Sequence, residues 1–158
     1  KENIETLNQI DNLNIYIKLH PFSGNREKEF LNLEKELKNS DSCTVIDKMQ
    51  TVNESISESN IFICDISAVV SECLAGNAPI FIYIPVDKEI KISQSKMPYE
   101  YYCYTFSTSE ELLEKLQLLL DGDDYLYDKR EEAMEYILNT KDTLSFTFKS
   151  KLLEIEGN

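Results

Sequence analysis

The sequence predicts an α/β domain in which helices sandwich a parallel sheet, and three observations carry that expectation. Apolar runs alternate with amphipathic runs along the chain, the pattern that strand–helix–strand units produce. Asn60–Pro85 compresses one such unit into a strand (Asn60–Cys64), a turn at Asp65–Ser67, a helix to about Ala75, a stop at Gly76–Asn77 and a strand (Pro79–Ile84). The length of 158 residues suits one domain with one core. A composition of 42% hydrophobic and 28% charged residues excludes wholesale disorder.

In chain order, Glu2–Ile10 reads as a polar helix. Leu13–Leu19 reads as a strand on its Ile15, Tyr16 and Ile17 content, ended by His20–Pro21. Asn25–Asn39 is helical in pattern, with Phe30, Leu33 and Leu37 on one stripe and Arg26, Glu27, Lys28, Lys35 and Lys38 mostly on the other. Cys43–Ile46 is a short strand, and Val52–Ser59 a short helix whose main inward residue is Ile56. Gly76 and Asn77 are the types that take the left-handed conformation closing a helix. Val86–Tyr99 is polar and irregular, and Tyr101–Phe106 is a last short strand. Ser107 or Thr108 then caps a helix, with Glu110 or Glu111 placed for a capping box. Leu112, Leu113, Leu116, Leu119 and Leu120 give that helix a broad apolar face. Asp121–Asp124 breaks the pattern before helices near Tyr125–Leu138 and Thr143–Glu154. Strand Leu13–Leu19 is expected beside strand Asn60–Cys64.

Charge narrows the function classes. Twenty-nine acidic against 16 basic residues give a net charge of −13, so phosphate backbones and anionic membranes are repelled and nucleic acid is an unfavourable partner. A small anionic ligand is still compatible, because backbone N–H groups at a helix start hold phosphate locally. No apolar stretch approaches the roughly 20 residues of a membrane-spanning helix. The polar opening carries neither a signal peptide nor an initiator Met, and reads as a cut from a longer protein. Cys43, Cys64, Cys73 and Cys103 are scattered without a CxxC pair, as expected of buried free thiols in a reducing, cytosolic setting.

Ligands of open α/β sheets bind beyond the carboxyl ends of the strands, which singles out Lys18–Pro21, Asp65–Ser67 and the helix that follows. His20, the single histidine, stands where the first strand would deliver a side chain to such a crevice. Position alone balances a phosphate ligand against a polar residue that merely ends a strand. Asp65, Ser67, Ala68 and Val69 lie at a strand-to-helix junction, where free N–H groups and the helix dipole attract anions, though a Ser or Asp cap needs no ligand. Glu72 reads either as a solvated helix-face carboxylate or as an acceptor for ribose hydroxyls. Asp121-Gly122-Asp123-Asp124 imitates a metal-binding DxD, but between two helices it reads as a helix-stop turn, and no metal is assigned.

The text IKLHP followed by NIFICDISAVVSECLAGNAPIFIY resembles the C-terminal nucleotide-binding half of the two-Rossmann (GT-B) transferases, closest to the CDP-glycerol glycerophosphotransferase family of teichoic-acid and capsule synthesis. The likeness lies in lysine, apolar, His-Pro after a first strand, then apolar residues leading to Asp-x-Ser, a helix, and a Pro-led strand ending in aromatics. It covers residues 14–83 well and the closing helices loosely. Against the family pattern, Ala68 replaces the second Ser, Ala78 precedes Pro79 where Lys is preferred, and the Arg-Gly after the last aromatic strand is absent.

The resemblance implies a Rossmann-like three-layer sandwich binding a CDP-linked donor, with His20 the catalytic candidate and His20, Pro21, Asp65, Ser67, Ala68 and Val69 around the phosphates. It implies no cofactor, and Glu72 before Leu74–Pro79 also resembles the ribose-binding glutamate of retaining glycosyltransferases, which would place it on the ribose. It further implies transfer of glycerol phosphate to a polymer hydroxyl, with the acceptor site on a missing N-terminal domain. Such a parent would be cytoplasmic and peripheral on the cytoplasmic membrane face, with this domain meeting the membrane only through the parent protein or a lipid-linked acceptor. Sialyltransferases and capsule polymerases that share the His-Pro and use CMP- or UDP-sugars are the alternative donor class. A non-catalytic nucleotide-binding module is the alternative of another kind.

Overall fold

The computed structural model describes residues 2–20, 28–86 and 96–139. Pro21, Arg26 and Glu27, and the expected helix Thr143–Glu154, lie outside the described residues. The fold grows from the most apolar strand, β4 (Ile80–Tyr83), whose Ile80, Phe81 and Ile82 are completely buried. Successive side chains of a strand point to opposite faces, so a strand buried throughout needs cover on both. Ile80 and Ile82 enter one apolar cluster with Val70, Cys73, Leu74 and Ala133. Phe81 enters a second cluster with Tyr104, Phe106, Leu112 and Leu116.

Strands β3 (Phe62–Cys64) and β5 (Tyr104–Phe106) flank β4, both parallel to it, with Phe62 opposite Ile80 and Phe81 opposite Tyr104. Between β3 and β4 runs α4 (Val69–Cys73), which tightens into a 3₁₀ turn over Leu74–Gly76 and stops at Asn77, whose φ is +47°. Of the two expected stop residues, Asn77 takes the left-handed conformation. Helix α6 (Ser109–Leu120) and α1 (Glu2–Leu7) pack together on the Phe81 face, tied by the Ser109 hydroxyl donating to Asn3 at 2.8 Å. Helix α7 (Tyr127–Leu138) closes the other face through Ala133, with α5 (Tyr99–Tyr102) packed on it. The result is an α/β, Rossmann-like arrangement with helices on both faces of a parallel sheet.

One expectation is corrected. Strand β1 (Tyr16–Ile17) does not hydrogen-bond to β3; it forms a separate two-stranded parallel sheet with β2 (Thr44–Val45). The reason lies in Leu13 and Ile15, which pack against the Phe81 cluster and hold the chain by side-chain burial, while the ladder bonds of this segment go to residues 44 and 46. Two smaller differences concern helices. Residues 99–102 are helical after Pro98, so the last strand is shorter than its aromatic content suggested. In α2 (Lys28–Lys38) Leu37 is buried but Phe30 is exposed; Glu34 is buried in its stead, bonded to Lys38 and Lys48 at 2.8 and 2.7 Å. Those two ammonium groups hold the Glu34 carboxyl below the usual range.

The turn between α6 and α7 is built around a buried ion pair. Asp121 caps α6, Gly122 takes φ +95°, and Asp124 turns inward. Arg130, 1% exposed, makes a two-pronged bond to Asp124, and the Tyr104 hydroxyl donates to the same carboxylate at 2.7 Å. Burial alone would raise the Asp124 pKa, but the bonds from Arg130 and Tyr104 outweigh it and the net shift is downward. Removing the carboxylate leaves a buried guanidinium unpaired, a loss on the order of 3–5 kcal/mol. Urea unfolding of Asp124→Ala should show that deficit, and Asp124→Ala combined with Arg130→Met should recover much of it. Because the folded pKa is depressed, the contribution is present above the unfolded value near 3.9 and lost as pH falls through the folded one. Wild type and Asp124→Asn should therefore converge in stability in acid; a gap constant from pH 7 to pH 2 would assign the deficit to something other than ionisation.

Candidate functional site

Two chain segments end in polar residues and face each other across a cleft of about 500 Å³. One wall is the segment that leaves β1, with Tyr16, Lys18 and His20. The other is β3 and the turn after it, with Ile63, Asp65, Ser67 and Val69. The floor is apolar: Phe62 and Cys73 are buried, and the Cys64 and Cys73 sulfurs lie 4.0 Å apart. Donation toward Cys73, together with burial, pushes the Cys64 thiol up, so it offers the cleft an uncharged surface.

The structure brings together His20, Asp65, Ser67 and Val69 of the residues singled out from sequence. His20 and Asp65 are exposed, Ser67 half-buried. Ala68 is the N-cap of α4 and is exposed beside the cleft wall without lining it; Glu72 is exposed further along α4. At 3.6 residues per turn Glu72 sits roughly 60° round the helix from Val69. Pro21 is outside the described residues.

The anion-binding character of the α4 start differs from the sequence expectation. Five α-helical residues and one 3₁₀ turn sum to a small dipole, and no side chain caps the helix. The Val70 and Ser71 N–H groups bond back to Ser67 and Ala68 carbonyls at 3.2 and 3.1 Å. What the turn presents is the backbone of residues 67–69 with the Ser67 hydroxyl. Local hydrogen bonds, rather than a long helix field, are its means of holding an anion.

Two contributors had no site role from sequence, although Lys18 lies in the stretch Lys18–Pro21 singled out there. Lys18 reaches across to donate to the Gln50 carbonyl at 2.5 Å, tying the end of β1 to the approach of α3 (Val52–Ser57) while placing a cation at the cleft. Helix α3 and the residues just after it form a further wall through Val52, Ser55, Ile56 and Ser59, a spacing of three, four and seven that marks one helix face. The Ser55 and Ser59 hydroxyls donate to the carbonyls of Thr51 and Ser55, which leaves their lone pairs toward any donor in the cleft. Among the described residues no three His, Cys, Asp or Glu side chains converge as a metal site, and no helix is long and apolar enough to cross a membrane.

With this geometry in view, comparison with known proteins is specific. The family model for CDP-glycerol:poly(glycerophosphate) glycerophosphotransferases matches residues 2–145, nearly the whole chain. The chain belongs to this family. No curated protein matches it. The match takes in every described element from α1 to α7, so both walls of the cleft lie within the glycerophosphotransferase homology.

The α3 wall is held by a reciprocal cap. Glu54 N–H donates to the Thr51 hydroxyl at 3.3 Å, and the Glu54 carboxylate accepts from Thr51 N–H at 2.7 Å and from its hydroxyl at 2.8 Å. Those bonds hold the Glu54 carboxyl below its ordinary value. Thr51→Ala removes the cap and should cost about 1 kcal/mol, read as a lowered urea midpoint. Thr51→Ser should retain most of it, and equal losses for the two variants would place the effect elsewhere.

Proposed function

We propose that this chain is the donor-nucleotide-binding domain of a glycerophosphotransferase acting in teichoic-acid or capsular polysaccharide synthesis, the C-terminal half of a GT-B enzyme. The observation that carries the reading is the convergence of His20, Lys18 and the Ser67 turn on one cleft in a chain of this family. A CDP-linked donor brings a diphosphate, and the cleft offers it an imidazole, an ammonium, a hydroxyl and backbone N–H groups within one concavity.

The chemistry follows from the donor. An acceptor hydroxyl attacks the phosphorus that bears glycerol, the bond from that phosphorus to the CMP phosphate oxygen breaks, and CMP leaves with the electron pair. Catalysis of such a step is mostly positioning and neutralisation of developing charge. His20 in its imidazolium form, Lys18 and the residue 67–69 backbone would bind the departing phosphate more tightly as its charge grows. Asp65 would orient these donors rather than touch the anion, since two like charges repel. The acceptor hydroxyl and the base that takes its proton would come from an N-terminal acceptor domain in the parent. The parent would work at the cytoplasmic face of the membrane, where a lipid-linked acceptor is presented.

A CMP- or UDP-sugar could occupy the same cleft by the same diphosphate or monophosphate contacts, so the nucleotide is the firmer part of the reading and the transferred group follows from the family.

Calorimetry of the chain with CDP or CMP should show weak binding, with a Kd on the order of hundreds of micromolar, and His20→Ala should weaken it about tenfold, equal to ~1.4 kcal/mol. Unchanged affinity in that variant would remove His20 from the site. CDP-glycerol with a polymer acceptor should give no nucleotide release above the blank from this chain by itself.

For Glu72, three residues and just under one turn after Val69 in α4, a ribose contact predicts that Glu72→Gln weakens CMP more than its 2′-deoxy analogue. Equal effects on both nucleotides would return Glu72 to a solvated helix face, in keeping with its exposure.

A further inference from the structure

The wall that runs from β1 carries, beside the Lys18 and His20 of the phosphate site, an aromatic ring that site does not use. Tyr16, Lys18 and His20 all line the cleft, and residues two apart in an extended chain share a side. The strand itself covers Tyr16–Ile17, and the lining continues through Lys18, Leu19 and His20; in an extended chain residues two apart are roughly 6.6 Å apart at 3.3 Å per residue. The order along it is aromatic ring, ammonium, imidazole. Tyr16 is 56% exposed and has no ring partner among the described residues. The Phe81–Tyr104, Tyr83–Phe106, Tyr99–Tyr102 and Tyr104–Tyr125 pairs show how readily rings in this fold find each other. An aromatic left open on a cleft wall, beside a cation and an imidazole, offers a stacking surface to a planar group.

We propose that Tyr16 is the base-stacking residue of the nucleotide cleft, so that the Tyr16–Lys18–His20 ladder binds a nucleotide from its base to its phosphates. The inference rests on the proposed nucleotide reading and deepens it by assigning the end of the cleft away from the phosphates. A base needs a flat apolar face, which Tyr16 supplies, with the apolar Ile63 side chain on the facing wall. Lys18, one step along, reaches the sugar-phosphate junction; one of its three protons goes to the Gln50 carbonyl and two are left for oxygen acceptors. His20, one step further, meets the diphosphate together with the Ser67 turn. Stacking on tyrosine tolerates any base, so the ladder measures the distance between a π-face and a phosphate and leaves the choice of base to other groups.

The test compares two probes on the full 158-residue chain: CDP, which has a base, and inorganic pyrophosphate, which has only the phosphates. Tyr16 is largely exposed, so Tyr16→Ala should fold, and Tyr16→Phe preserves the ring as a control. By calorimetry the wild type should bind CDP more tightly than pyrophosphate. Tyr16→Ala should weaken CDP about tenfold or more while changing pyrophosphate less than about twofold, and Tyr16→Phe should stay close to wild type on both. Unchanged CDP affinity in Tyr16→Ala, or equal losses for the two probes, would overturn the assignment while leaving the phosphate site standing. Failure of the wild type to bind either probe would overturn the nucleotide reading itself, and the ladder with it.

Discussion

The burial of β4 on both faces is the constraint from which the rest of the molecule follows. A strand with Ile80, Phe81 and Ile82 wholly shielded cannot be an edge, so it must be flanked on both sides and covered above and below. Parallel neighbours cannot be joined by a tight hairpin; each needs a crossover that climbs over the sheet and returns. For β3 and β4 that crossover is α4 with its 3₁₀ extension, and the turn that launches it is residues 65–68, at the carboxyl end of β3. The polar turn on the cleft thus exists because an apolar strand further on has to be reached in the right direction. Gly76 shows how tightly this is closed: a Cβ there would stand 3.0 Å from Ile56 and 3.1 Å from Phe62, so α3, β3 and the end of the crossover meet where a side chain would force its neighbours to shift.

The same constraint explains what could be read from sequence. The β3–α4–β4 unit was legible because its information is local: a buried run, a polar turn, a short amphipathic stretch, and an Asn that accepts a left-handed conformation. The α6 start was legible for a similar reason, since Thr108 accepts from Glu111 N–H within one turn. Glu111 reaches instead to the Ser107 N–H, one residue before the cap, a variation on the expected box. Pairing of β1 with β2 was not legible, because two short apolar segments state that they are buried without stating against what. Phe30 and Glu34 fail in the same way. Burial of Glu34 depends on Lys48, fourteen positions away on a different element, and no helical periodicity carries that.

For the site, His20, Asp65, Ser67 and Val69 were found because strand ends collect at one edge of an α/β sheet, a rule of topology that needs no long-range detail. Residues that reach the cleft through a second sheet or through α3 follow no such rule. Tyr16 lies inside its strand rather than beyond it, and Ser55 in α3 and Ser59 just after it belong to a segment tied down by the Thr51 cap and the Lys18 tether. The expected dipole of α4 also failed for a long-range reason. The α-helical geometry lasts only over Val69–Cys73 before it tightens into the 3₁₀ turn, so few peptide dipoles add to its field.

Acidity sharpens the question of how this fold could hold an anion. A net charge of −13 opposes an approaching phosphate, but exposed charges are screened beyond about 8 Å at physiological ionic strength. Inside a cleft the first few ångströms decide. There Lys18 and His20 face the single carboxylate of Asp65 among the polar residues of the two strand walls. Elsewhere the acidic side chains with the greatest structural weight are already committed: Asp124 to Arg130 and Tyr104, Glu34 to Lys38 and Lys48, Glu54 to its helix cap. The ion pairs neutralise Asp124 and Glu34, while the Glu54 charge is kept and held in place by its bonds to Thr51. The acidic surplus left over is dispersed on outward helix faces such as those of α6 and α7, where it favours solubility. An acidic chain can in this way keep one concavity where Lys18 and the His20 imidazole stand against the Asp65 carboxylate, provided that its other carboxylates are used in the fold or held at the periphery.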